Sequence, residues 1–138
     1  MAALLGELGY PTTAADAAGR LAREGPGGER VLVAEAADGH VVGLAALTIG
    51  WHLPHARPLA RVTALVVAER ARGRGTARAL LARAEELAAG AACEGVELTS
   101  ALTPERAAAH RLYESLGYVR TSARFWHELD REGERAPV

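Results

Sequence analysis

The chain has one cysteine and no lysine, and each scarcity narrows what it can be. A single thiol, Cys93, rules out an internal disulfide and supplies no cysteine cluster for a metal. Lysine is missing while arginine and alanine abound, which reads as genomic bias rather than chemistry. No apolar run approaches the roughly 20 residues of a membrane span. Met1–Gly9 lacks the charged, apolar and cleavage regions of a signal peptide. A cytoplasmic protein without membrane attachment is therefore expected. Charge of one sign is also lacking: a net −1 leaves no general attraction to nucleic acid. No internal repeat and no second domain is legible. With 138 residues, 49% of them hydrophobic and 24% charged, the chain suits one globular domain with one core. The whole of 1–138 is read as that domain, with the charged tail Arg131–Val138 expected to be disordered.

Two familiar phosphate patterns are absent as well. No Gly-Lys-Ser/Thr closes a Walker loop, and the third glycine of a dinucleotide fingerprint is replaced by Arg78. What is there is Val66-Val67-Ala68-Glu69-Arg70-Ala71-Arg72-Gly73-Arg74-Gly75-Thr76-Ala77, a β-branched run leading through an arginine- and glycine-rich turn into a helix. Gly73 and Gly75 let the backbone bend tightly and turn its N–H groups toward a ligand. The first N–H groups of the helix lack internal partners, and the helix dipole adds partial positive charge there. Arg72, Arg74 and Arg78 add full charge at a helix end where like charge is otherwise unfavourable. The chemistry is that of an anion site, best matched by a pyrophosphate. Glu69 and Arg70 read as surface residues before the turn.

Periodicity and punctuation order the rest. Leu4 to Glu24 has helical spacing interrupted at Pro11, with Thr12 or Thr13 capping a helix over Ala14–Arg23 and Leu21 turned inward. Gly25–Gly28 is a turn, Val31–Ala36 a strand, Asp38-Gly39 a hairpin turn and Val41–Ile49 its partner. Trp51–Pro58 is a loop, Arg61–Val67 a strand, and Thr76–Ala89 a helix with Leu80, Leu81, Ala84 and Ala88 among its inward residues. Val96–Ser100 is a strand, Pro104–Leu116 a helix, and Tyr118–Leu129 a further strand or hairpin. This order gives a mixed α/β fold with helices flanking a central sheet.

A second informative block is Ala109-His110-Arg111-Leu112-Tyr113-Glu114-Ser115-Leu116-Gly117-Tyr118, with apolar residues at helical spacing and Gly117 as a C-terminal cap. On its residues alone, Tyr113 can equally be a core anchor. Together, Arg72-x-x-Gly75-x-Ala77 and this later block resemble the two diagnostic segments of the GNAT superfamily of N-acetyltransferases. The order of elements fits along nearly the whole chain.

The resemblance implies a sheet in which two neighbouring parallel strands, here Arg61–Val67 and Val96–Ser100, splay apart to admit acetyl-CoA. It assigns the cofactor to Leu65, Val66 and Val67, whose backbone would pair with the pantetheine amides, and to Arg72, Gly73, Arg74, Gly75, Thr76, Ala77 and Arg78. It implies that Tyr113 protonates the departing thiolate. Many members carry asparagine at the position of Arg106, so this chain departs there. The family also implies a small-molecule or peptide amine acceptor and a homodimer, for which Tyr118–Leu129, with Phe125 and Trp126, is the expected interface.

The acceptor side is less legible. His52 and His55 can orient or deprotonate an amine near neutral pH, or simply sit in a surface loop. Two histidines without further ligands do not make a metal site, so none is expected. Trp51 is a pocket wall or a core edge. Glu35, ending an apolar strand, can hold an ammonium or face solvent, and Ser100 is a polar group at a strand end. His110 is expected to point about 60° away from Tyr113 and to pack or cap. Cys93 is expected to be buried packing. Two rival functions stay open: a GNAT fold that binds acyl-CoA without turnover, and an unrelated phosphate-binding α/β domain.

Overall fold

A computed structural model describes residues 1–22 and 28–130. Residues 23–27 and 131–138, which include most of the Gly25–Gly28 turn and the tail, lie outside the described residues. The chain divides into two compact units, one over Met1–Ser100 and one starting at Ala101.

The first unit carries the sheet. Its helices are α1 (Ala2–Glu7), α2 (Ala14–Leu21) and α3 (Thr76–Gly90), and its strands are β1 (Arg30–Glu35), β2 (Val41–Gly50), β3 (Leu59–Val67) and β4 (Gly95–Leu98). The strand order is β1-β2-β3-β4, antiparallel between β1, β2 and β3 and parallel between β3 and β4. The β1–β2 hairpin turns at Gly39, whose φ is +83°, while Asp38 Oδ1 accepts from the His40 N–H at 3.0 Å. Thr13 caps α2 by accepting from the Asp16 N–H. Leu21 does not turn inward: it is 50% exposed, and Ala17, one turn earlier, is the buried residue. The helix ends at Leu21, so its last turn has no neighbouring turn to press that side chain against the fold.

The sheet is covered on both faces. Leu4 of α1 packs with Val42, Leu44, Val66, Ala68 and Ala71. Gly43, pointing the other way by strand alternation, faces α3: a Cβ there would meet Thr76 Cγ2 at 3.0 Å and Leu80 Cδ1 at 3.1 Å. That missing side chain lets the start of α3 sit directly on β2. Leu80, Leu81, Ala84 and Ala88 form the buried stripe of α3, as the periodicity predicts. Leu81 and Leu47 are fully buried, and truncating either to alanine removes packing worth about 2–5 kcal/mol.

One irregularity shapes the unit. Ala46 pairs with Ala64 and Leu47 with Val62, so Thr63 is an extra residue, a bulge in β3. The parallel ladder stops at the same level, since Val62↔Leu98 is its last pair. A bulge bends its strand and raises the local twist. Residues 64–67 of β3 continue along β2 with no β4 partner, an arrangement compatible with the splayed pair that the family resemblance implies.

In the second unit, a 3-10 turn (Pro104–Arg106) leads into α4 (Ala107–Ser115). Gly117, at φ +91°, ends α4: its N–H donates to Glu114 O and the Tyr118 N–H donates to Tyr113 O. This is the paired bonding of a Schellman cap. The strand or hairpin expected over Tyr118–Leu129 does not form. Residues 118–130 join no ladder among the described residues, and an extended run without a ladder is not a strand. Val119, Phe125, Trp126 and Leu129 lie exposed, with the Arg124 guanidinium 4.8 Å from the Trp126 ring centroid.

Candidate functional site

The arginine–glycine loop has the backbone its composition calls for. Gly73 and Gly75 lie at φ +75° and +79°, where a side chain would be strained. Gly75 is the N-cap of α3 and no side chain caps that helix, so its first-turn N–H groups are left for solvent or an anion. Arg74 and Arg78 are exposed around it, and Thr76 and Ala77 are half-buried. Leu65 and Val67 are half-buried and Val66 is buried, so the side chains of this stretch serve the core.

The Arg72 guanidinium is turned onto the protein itself. Its Nε donates to Val67 O at 3.1 Å and its Nη2 to Glu7 Oε2 at 3.4 Å, while the Glu69 N–H donates to the same Glu7 oxygen at 3.2 Å. Arg72 and Glu7 thus close the loop between β3 and α3 on itself and on α1. Glu7 was not legible as a loop residue, because its partners lie more than sixty positions away. Beside it, an open groove of about 410 Å³ is lined by Glu7, Ala68, Glu69 and Arg70.

His52 and His55 sit at the other end of β3, a strand about 25 Å long at the usual rise per residue. His55 Nδ1 lies 3.0 Å from Glu94 Oε2, and the Glu94 N–H donates to Pro58 O, tying this loop to the turn before β4. His52 lines an open groove of about 260 Å³ with Thr48, Ile49, Trp51, Leu59 and Arg61. Trp51 is 72% exposed, which removes the core-edge reading. Glu35 is exposed at the end of the edge strand β1, and Ser100 is half-buried two residues beyond β4. Cys93 is half-buried rather than fully buried, because it lies in the turn after α3. No group of three or more potential metal ligands occurs among the described residues. Nor, among them, is any helix long and apolar enough to cross a membrane.

In the second unit, Tyr113 is buried, at 7% exposure. Its hydroxyl accepts from Arg106 Nη2 at 3.4 Å. Burial pushes the phenol above its ordinary pKa, and the adjacent Arg106 guanidinium pulls back against that shift. Arg106, the departure from the family pattern, is thus set against the one hydroxyl the sequence singled out. The His110 ring is 6.5 Å from that of Tyr113 and the Tyr118 ring 6.2 Å. An angular offset of 60° on a helix does not separate residues three apart, which remain surface neighbours.

A mixed sheet whose parallel ladder stops at a bulge, followed by a left-handed glycine turn at a helix start without a side-chain cap, defines a mixed α/β domain with a candidate anion site. The family model described as Acetyltransferase (GNAT) family matches residues 7–118, and the chain belongs to that family. It is 39% identical over 92 residues to the aminoalkylphosphonate N-acetyltransferase of Salmonella typhimurium, a match covering 67% of this chain and 58% of that protein's length. A solved putative acetyltransferase from Agrobacterium tumefaciens is 34% identical, with 93% of this chain and 90% of that one covered and a TM-score of 0.74. The fold is also that of a GNAT family acetyltransferase from Staphylococcus aureus, 23% identical, covering 93% of this chain and 86% of the other at a TM-score of 0.76.

Proposed function

We propose that the chain is an N-acetyltransferase that moves the acetyl group of acetyl-CoA to a primary amine by direct attack in a ternary complex. The observation that carries this reading is the loop at Gly73 and Gly75. Its left-handed glycines lead into a helix start that no side chain caps, following a strand whose last residues have no parallel partner. Pyrophosphate is held by the N–H groups of Gly73–Arg78, with Arg74 and Arg78 adding charge. Pantetheine amides pair with the β3 backbone over Leu65–Val67, and an N–H of that stretch polarises the thioester carbonyl, worth about 3 kcal/mol. Arg72 acts here by bracing the loop.

An alkylamine with a pKa of about 10 must be neutral to attack, and holding it in line with the thioester supplies much of the rate. Tyr113 gives its proton to the departing sulfur. Burial keeps that phenol protonated at neutral pH, and the Arg106 charge stabilises the phenolate left behind. The acceptor is a small molecule or a peptide. Similarity to an enzyme named for aminoalkylphosphonates makes small amines that carry an anionic group the first class to try. The reading takes the chain as one catalytic domain, since the family match runs over residues of both units. It also places the protein in the cytoplasm, where a lone cysteine stays reduced.

Release of free CoA thiol from acetyl-CoA tests the reading. Turnover is expected with at least one of 2-aminoethylphosphonate, putrescine, phenethylamine and a glycine-terminated peptide. Tight acetyl-CoA binding with no turnover on any of them would instead make the chain a non-catalytic acyl-CoA binder. Stabilisation by ATP or NAD in place of acetyl-CoA would return it to the general phosphate binders.

We further infer a homodimer that covers the apolar side chains of 118–129. The supporting observation is their exposure, 93% for Phe125 and 72% for Trp126. Light scattering is expected to give twice the mass of the chain, with Phe125→Ser shifting it to monomer. A monomer at high concentration in the wild type would reject the interface.

A further inference from the structure

At the bulge, the extra residue of β3 has a partner outside its own strand pair. The Thr63 hydroxyl donates to Glu29 Oε1, with Ala46 O at 3.3 Å as its alternative acceptor. Glu29 stands one residue before β1, so the bond reaches from the start of the edge strand to β3 at the level where the parallel ladder ends. Both residues are exposed, leaving the carboxylate accessible from solvent. The other groups considered for accepting a proton are placed differently. Glu35 lies at the far end of β1 beside the hairpin, and His55 is held by Glu94 before β3 begins.

We propose that Glu29, oriented by Thr63, is the carboxylate that takes the proton lost by the acceptor nitrogen, and that the acceptor therefore approaches at the Thr63 bulge. This inference rests on the acetyl-transfer reading above, in which the thioester lies along β3 beyond Val62. The ionised carboxylate draws in the cationic form of the amine, which gives its first proton to solvent, and the neutral form reacts. The nitrogen forms its bond to the thioester carbon, becomes cationic and far more acidic than a free ammonium, and passes a proton to a Glu29 oxygen. The carbon–sulfur bond breaks, and sulfur takes the phenolic proton of Tyr113. Glu29 then loses its proton to solvent and Tyr113 regains one from it, leaving one amide, one thiol and an unchanged protein. The Thr63 hydroxyl fixes which carboxylate oxygen stays free, so Thr63 is a positioning residue.

The experiment uses the full chain, acetyl-CoA and whichever amine of the four named above the wild type acetylates fastest. Glu29→Gln keeps the side chain's shape and its bond from Thr63 but removes the basicity. A kcat about tenfold lower is expected, with the KM for acetyl-CoA within twofold and the melting temperature unchanged. Glu29→Asp should recover part of the loss. Thr63→Val should lower kcat less than Glu29→Gln and add nothing to it in the double variant. Glu29→Gln retaining kcat within twofold would overturn the inference while leaving acetyl transfer standing. Additive losses in the double variant would overturn the role of Thr63. A wild type that acetylates none of the four amines overturns acetyl transfer and this inference with it.

Discussion

Gly75→Val is expected to weaken acetyl-CoA binding by at least about a hundredfold while the protein stays folded. Gly75 sits at φ +79°, a conformation a β-branched residue holds only with strain of about 1–3 kcal/mol. A Cβ at Gly75 would meet nothing within 4 Å, so the protein has no internal clash to relieve. The loop instead turns its peptide planes, and the N–H groups on either side of Gly75 lose their aim. Two charge-assisted hydrogen bonds to phosphate, at about 1.5 kcal/mol each, account for more than a hundredfold in affinity. The strain alone should lower the melting temperature by several degrees. Gly39→Ala and Gly75→Ala separate these effects. Gly39 has a similar positive φ, +83°, in the β1–β2 hairpin, outside the Gly73–Arg78 stretch. Calorimetry should find Gly39→Ala less stable with acetyl-CoA affinity intact, and Gly75→Ala both less stable and weaker in binding. Unchanged affinity in folded Gly75→Val would sink the pyrophosphate assignment.

Tyr113→Phe is expected to lower kcat between about tenfold and a hundredfold, with acetyl-CoA affinity unchanged. The ring and its packing remain, and only the hydroxyl facing Arg106 is lost. Acid catalysis is worth about 10²–10⁴-fold in general. The low end applies here because a thiolate leaves more readily than an alkoxide. Folding raises the phenol pKa, chiefly through burial, so the folded state holds this proton more tightly than the unfolded chain. The stability this contributes is complete below the ordinary phenol value of 10.0 and is lost as pH rises from there through the raised value. Tyr113→Phe removes that linkage, so its melting temperature should fall less between pH 9 and 11 than the wild type's. A kcat within twofold of wild type combined with a lower melting temperature at neutral pH would make Tyr113 a core residue only.

The parts of this protein that were legible in its sequence are those governed by a few consecutive residues. A glycine forced to positive φ, a threonine that caps a helix and an apolar repeat of 3.6 are local facts. Gly73, Gly75, Gly117, Thr13 and the buried stripe of α3 therefore stand where the sequence puts them. Two of the errors of side-chain and strand placement are equally instructive. Leu21 was apolar and in phase, yet burial needs a surface to press against, and Ala17 has it instead. Tyr118–Leu129 had strand-like composition, yet a strand exists only through its neighbour's hydrogen bonds, and composition does not name a neighbour.

The sequence by itself determined the element order as far as α4, the glycine turn at the start of α3 and the family to which the chain belongs. Each follows from backbone preferences and periodicity acting over a dozen residues or fewer. Tertiary structure alone decided that Thr63 is the bulged residue where β3 loses its parallel partner, and that Glu29 reaches it. It also turned the Arg72 guanidinium onto Val67 and Glu7, and set Arg106 against the Tyr113 hydroxyl. These contacts depend on strand register and on how one element docks on another. Register is set by packing summed over whole strands, so residues tens of positions apart meet without any local signal of their pairing.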